Sequence, residues 1–184
     1  MQTTASDVRQ VALEEFASAG YLGTSIQSIA DRAGVSKASV LYHYSSKETL
    51  LDAALSPAID AIAELLPRTK QLAGDPQQRE RFLADFVDLL LGHRLAAQIF
   101  ITQSGALVDV PVVARAQVLI QQIAAARPQQ SVDDQVRFAV ALGGAAYLLA
   151  QTGQLGVDDA PDDDALRASL IRILGELLAP VTVA

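Results

Sequence analysis

Residues 24–51, T-S-I-Q-S-I-A-D-R-A-G-V-S-K-A-S-V-L-Y-H-Y-S-S-K-E-T-L-L, constrain this chain more than any other stretch. Ile26, Ile29, Ala30 and Ala33 recur at helical spacing, which gives a short helix one apolar face. Thr24 stands where its N-cap belongs, and Gly34 can take the left-handed conformation that ends it. Ser36 then reads as the N-cap of a second short helix over about residues 37–44, with Val40 and Tyr44 facing inward. Ser45 and Glu48 have capping-box spacing, so a longer helix begins near Ser46. Helix, glycine-containing turn and short helix make the pattern of a DNA-binding helix-turn-helix, although structural αα-corners use the same devices.

Upstream, Val8, Val11, Ala12, Phe16 and Ala19 form the inward face of a helix over about residues 7–19. Ser6 or Thr4 can cap it, and Gly20 ends it. Phe16 is read as core and Tyr21 as a packing residue beyond the helix end. The run T-S-x-x-x-I-A-x-x-A-G-V-S-K followed by L-Y-H-Y-S-S-K-E-x-L, preceded by Ala12, Phe16 and Gly20, resembles the TetR (tetracycline-repressor) family of bacterial transcriptional regulators. The resemblance covers roughly the first quarter of the chain. It implies an all-α fold of about nine helices, with a three-helix DNA-binding domain over residues 1–50 and a helical effector-binding and dimerisation bundle over residues 51–184. It also implies a homodimer on a double-stranded operator, a small-molecule effector and no cofactor.

Within the motif, the residues expected at DNA are Thr24, Gln27, Ser36, Lys37, Ala38, Ser39, Leu41, Tyr42, His43 and Lys47. With Val40 and Tyr44 inward, Lys37, Ala38, Leu41 and Tyr42 are left toward solvent, and a bare leucine and tyrosine on one short helix suggest a partner surface. Lys37 suits guanine or phosphate, Ala38 and Leu41 a thymine methyl, and Ser39 either kind of contact. The free amides behind Thr24 form a ready phosphate site, and Lys47 adds a cation at the start of the next helix. By resemblance, Gln27 sits where a base edge can be touched, and Tyr42 and His43 match the family's phosphate-contacting aromatic and histidine. Leu41 departs from the family, where tyrosine is common, which suggests altered specificity.

The charge balance runs against bulk electrostatic attraction to DNA. Residues 1–50 carry net −1, the remainder −6, and the whole chain −7. Binding must therefore rest on a few placed cations, helix N-termini and hydroxyls, with a modest salt dependence.

Beyond residue 50 a helix runs on to about residue 66, with Pro57 expected to kink or break it. Residues 67–78 read as a connection, followed by helices at about 77–94, 95–105, 110–126, 131–152 and 163–179. The breaks are Gly92/His93, Gly105, Pro128, Gly153/Gly156 and Pro180. This half holds more apolar positions than single-faced helices need. Phe82, Phe86, Leu90, Phe100, Ile120 and Phe138, with the polar His93, Gln103 and Tyr147, are candidates for a mostly apolar effector pocket. Ala139, Gly143 and Ala146 permit close helix approach, and Leu166, Leu170, Leu174 and Leu177 repeat at helical spacing. Together they are candidates for a two-fold four-helix dimer interface.

Other function classes find little support. The run Asp158, Asp159, Asp162, Asp163 and Asp164 lacks the ligand spacing of a calcium loop and reads as a solvated loop capping the last helix. With no cysteine, two histidines and none of the phosphate-loop, nucleophile-elbow or zinc-helix motifs, an enzyme is not expected. The thirteen-residue apolar run that ends at Ala150 is too short to cross a bilayer, and a cytoplasmic location is expected. The competing reading is a helical protein–protein adaptor that uses the Leu41/Tyr42 surface and does not bind DNA.

Overall fold

In the first helix, α1 (Ala5–Gly23), Val8, Ala12 and Phe16 follow one another at four-residue intervals and are buried. The computed structural model describes residues 5–73, 75–125, 131–151 and 162–179. Gly20 interrupts α1 with φ 77° and ψ 155°, a region essentially closed to residues with a Cβ. The helix therefore does not end at Gly20 but continues for another turn beyond the break. Tyr21 packs its ring 5.5 Å from that of Phe16.

Thr24 turns the chain back, and here the expected cap is corrected. Its hydroxyl donates to the Gly20 carbonyl at 2.8 Å and to that of Glu15 at 3.1 Å, and the residue is 3 % exposed. Four residues after the break, the Thr24 hydroxyl is in reach of the Gly20 carbonyl and turns inward to it. Ser25 caps α2 (Ile26–Ala33) instead, through a reciprocal capping box with Ser28. Gly34 ends α2 in the left-handed conformation (φ 68°), and Ser36 caps α3 (Lys37–His43) by accepting from the Ser39 amide at 3.0 Å. Val40 and Tyr44 are buried, and the Tyr44 hydroxyl donates to the Ala5 carbonyl at 2.9 Å. Ser46 caps α4 (Lys47–Leu65) through the Thr49 amide. The expected Ser45/Glu48 box does not form, because the cap lies one residue further on. Pro57 is carried inside α4 without breaking it.

The stretch read as a plain connection is largely a 3₁₀ segment, Leu66–Ala73. Asp75 then caps α5 (Pro76–Gly92), with proline at the helix start where its missing N–H is harmless. α6 (Arg94–Gln103), a 3₁₀ turn at Ser104–Leu107, α7 (Pro111–Ala125), α8 (Val132–Gln151) and α9 (Asp163–Leu177) complete the chain. The breaks at Gly92/His93 and Gly105 fall as expected; Pro128, Gly153, Gly156 and Pro180 lie outside the described residues. Asp162 caps α9 by accepting from the Ala165 amide at 2.7 Å, while Asp158 and Asp159 lie outside the described residues.

Two apolar cores result. One joins α1–α4 to Ala96 and Ile99 of α6 and to Val112, Val113 and Ala116 of α7. The other packs α5, α8 and α9 around Phe82, Leu83, Val87 and Leu149. The core of the first fifty residues thus continues directly into α6 and α7. Arg167 of α9 grips Asp88 of α5 with two bonds of 2.5 and 2.7 Å, and this partner lowers the Asp88 carboxyl below its ordinary pKa.

The break at Gly20 gives a direct test. Gly20→Ala should lower the unfolding free energy by about 1–3 kcal/mol in denaturant titration, since only the backbone conformation opposes the new methyl. Gly23→Ala, with open space at its Cβ and no positive φ, should change stability by less than about 0.5 kcal/mol.

Candidate nucleic-acid interface

α2 and α3 pack on each other, and the buried Ile29, Ala30 and Val40 hold them as one unit. That packing leaves Lys37, Ala38, Ser39, Leu41, Tyr42 and His43 exposed on α3. Tyr42 is 86 % exposed and rests edge-on to His43, ring centres 5.2 Å apart. Leu41, at 38 %, stands beside it. Lys37 makes no ion pair or hydrogen bond among the described residues. The Ser36 and Ser39 hydroxyls share a 2.8 Å bond, so both are held at the start of α3 beside its first amides. Gln27 is exposed on α2, its amide nitrogen 2.7 Å from Asp31 Oδ1.

Two of the expected contacts have other roles. The Thr24 hydroxyl faces inward, as described above. Lys47 is also turned inward: its ammonium donates to the carbonyls of Tyr21 at 2.8 Å and Thr24 at 2.9 Å, and lies 4.3 Å from the centre of the Tyr21 ring. Arg32 is engaged too, bridging Glu14 and Glu15 at 2.8 and 2.6 Å. Among the described cations of residues 5–50, Lys37 alone is free on the helix-turn-helix, because Arg9 lines a groove against α4 and the α5–α6 junction. The modest salt dependence expected from the overall charge is thereby sharpened.

A partly open cavity of about 490 Å³ lies between α4, α5, α6, α7 and α8. Of the nine residues expected there, Phe86, Leu90, His93, Phe100, Ile120, Phe138 and Tyr147 line it. Phe82 is instead fully buried among α5, α8 and α9. Gln103 faces the other way, accepting from the Tyr21 amide at 2.7 Å and donating to the Phe16 carbonyl at 2.8 Å. Among the described residues, the polar side chains that line the cavity are His93 and Tyr147. Burial pushes the His93 imidazole below its ordinary pKa, so the neutral form, with one donor and one acceptor, dominates near neutrality.

Sequence reading missed the second role of α6. Its cavity face carries Ala96, Ala97 and Phe100, while Gln98 and Gln103 hold α1: Gln98 donates to the Ala17 carbonyl at 3.2 Å. Two glutamines five residues apart on an apolar helix were the available signal, but their partners lie more than eighty residues away.

The expected interface on α8 and α9 also changes. Leu170 and Leu174 are buried, and Leu166 and Leu177 pack on the same core, so the α9 leucine stripe is used within the chain. Ala139, Gly143 and Ala146 line the cavity. What α8 exposes instead is a row at four-residue steps: Val132 (73 %), Val136 (54 %), Val140 (59 %), Gly144 and Leu148 (38 %), with Ile173 of α9 also exposed. No single described helix is long and apolar enough to cross a membrane, and no group of metal-ligating side chains occurs among the described residues.

The sequence model described as "Bacterial regulatory proteins, tetR family" matches residues 8–54. Over 53 residues the chain is 42 % identical to the HTH-type transcriptional regulator RutR of Escherichia coli (strain K12), covering 29 % of this chain and 25 % of that protein. The chain thus matches only about a quarter of the length of this curated relative. Similarity of fold extends further. The ketosteroid transcriptional regulator KstR2 of Mycobacterium tuberculosis superposes with TM-score 0.69 at 18 % identity, over 100 % of this chain and 98 % of that one. SCO3833 of Streptomyces coelicolor A3, a TetR-family member, gives 0.71 at 18 %, over 100 % and 94 %. Residues 8–54 thus match the helix-turn-helix of the tetR family of bacterial regulatory proteins, and the whole chain shares its fold with these solved regulators.

Proposed function

We propose that the protein is a DNA-binding transcriptional repressor that reads a palindromic operator as a homodimer and is released by a small apolar or amphipathic effector. The observation that carries this reading is the exposed Leu41/Tyr42 surface on α3, set on a rigid two-helix unit with Lys37 free beside it. Residues 1–50 act as the reading head and residues 51–184 as the effector and dimerisation part. The protein is a cytoplasmic regulator, not an enzyme. Lys37, Ala38, Ser39, Leu41, Tyr42 and His43 reach the duplex, with Gln27 and the Ser36-capped start of α3 in support. Leu41 supplies an apolar contact, suited to a thymine methyl.

The exposed valine row of α8, with Ile173, supports a two-fold contact between α8/α9 pairs, since a surface of that length is costly to leave in water. The cavity supports an effector whose bulk is apolar and whose polar atom meets His93 or Tyr147. Signal transfer follows from linkage: an effector that binds better to the arrangement that does not fit DNA weakens DNA binding by the same factor that DNA weakens effector binding. A coupling of about 3 kcal/mol is sufficient for roughly hundredfold release.

Selection of bound fragments from random and genomic duplex DNA tests the head. Wild type should enrich a palindrome, Tyr42→Ala should not, and Lys37→Ala should bind the selected site about tenfold more weakly. If the folded dimer enriches nothing even at low salt, the protein-adaptor reading stands in place of this one.

The cavity is tested without knowledge of the natural effector. The uncharged fluorophore N-phenyl-1-naphthylamine should bind with enhanced emission. Gly143→Phe, which places a ring into the cavity from a position with open space at its Cβ, should weaken that binding about tenfold or more. Unchanged dye binding by a folded Gly143→Phe variant would remove the cavity from the proposal.

A further inference from the structure

A second recess lies at the junction of the reading head and the bundle. This groove, about 440 Å³ in volume, is bounded by the start of α1, the middle of α4 and the α5–α6 junction. His93 lines both it and the apolar cavity. Their chemistry differs sharply. The cavity is apolar, whereas the groove is lined by Arg9 and Arg94, with Ser6 and Gln10, and by no acidic side chain among the described residues.

Both guanidinium groups have donors to spare. Arg9 is half-buried and makes no ion pair or hydrogen bond among the described residues. Arg94 reaches Asp163 with one terminal nitrogen at 2.8 Å, but its Nε–H is buried with no acceptor. α6 also begins here, and His93 at its N-cap provides no side-chain acceptor for the first amides of the helix. In a chain of net charge −7, two arginines thus line one groove, and among the described residues the carboxylate that meets them is that of Asp163, held by one nitrogen of Arg94. Buried donors are ordinarily satisfied, and an arginine fork matches the paired oxygens of a carboxylate or phosphate.

We propose that this groove is a binding site for a small organic anion, held through a carboxylate or phosphate group between Arg9 of α1 and Arg94 of α6. The groove is larger than the anionic group alone requires, and Ser6 and Gln10 offer further hydrogen bonds to the rest of the molecule. Because the two arginines belong to the reading head and to the bundle, the anion favours whichever arrangement brings them together. It thus acts on the head independently of an apolar effector in the cavity.

The test is calorimetric titration of the full-length chain, without DNA, at constant ionic strength. Citrate and inorganic phosphate are the two probes, distinguishing a carboxylate from a phosphate site. At least one should bind saturably with one site per chain. Arg9→Gln and Arg94→Gln should each weaken it about tenfold or more, as loss of a charge-assisted pair demands. Arg137→Gln, on the exposed surface of α8, should leave it unchanged. Arg9 has no partner to lose among the described residues, so its variant should remain folded even if the one at Arg94, which gives up the bond to Asp163, does not. Absence of saturable binding by either probe, or binding that survives Arg9→Gln, would overturn the proposal. Neither result depends on whether the protein binds DNA.

Discussion

The position of the reading head depends on how the broken end of α1 is satisfied. A helix interrupted at Gly20 leaves its last carbonyls without the amides that a continuing helix would supply. Here donors come from other elements. Gln103 takes the Phe16 carbonyl, Gln98 that of Ala17, Thr24 that of Gly20, and Lys47 those of Tyr21 and Thr24. A carbonyl left unmet in this half-buried setting costs about 1–3 kcal/mol, and those of Gly20 and Tyr21 also accept from the Thr24 amide at 3.1 and 3.4 Å. The orientation of the Gln103 amide follows from the same requirement, since the Tyr21 amide needs an oxygen and the Phe16 carbonyl a donor. Helices from both halves of the chain therefore converge on five residues of α1 and the turn after it.

This arrangement gives α6 two faces with different duties. Ala96, Ala97 and Phe100 look into the cavity, while Gln98 and Gln103 hold α1. A displacement of α6 by a molecule seated against Phe100 cannot leave the glutamine bonds untouched. α4 also joins the halves, contributing Leu50, Leu51 and Leu55 to the core of the first fifty residues. The hydrogen bonds that fix the end of α1 to the bundle, however, come from α6.

Much of this was legible from local chemistry. Gly34 and Ser36 mark a turn because a left-handed cap and a hydroxyl N-cap are properties of single residues and their neighbours. Helix order and most boundaries followed from periodicity for the same reason. The errors fall where a side chain answers to something distant in sequence. Thr24 and Ser25 both suit an N-cap, and only the break in α1 decides which one turns inward. Lys47 looks like a phosphate ligand until the carbonyls of Tyr21 and Thr24 are placed beside it. The α9 leucines carry the pattern of an interface, but α5 and α8 claim them first, leaving the Val136/Val140 row exposed. The cavity was legible as an excess of apolar residues; that Gln103 stands outside it was not.

The most direct test of this account is residue-resolved hydrogen exchange of the Tyr21 amide in wild type and Gln103→Leu. Tyr21 N–H donates to Gln103 Oε1 at 2.7 Å, so losing that acceptor should speed exchange at Tyr21 and its neighbours while the Ile29 and Leu50 amides keep their protection. Unchanged exchange at Tyr21, in a folded variant, would mean that α6 does not hold the head. The contact between the cavity and the helices α1 to α3 would then have to run through α4 alone.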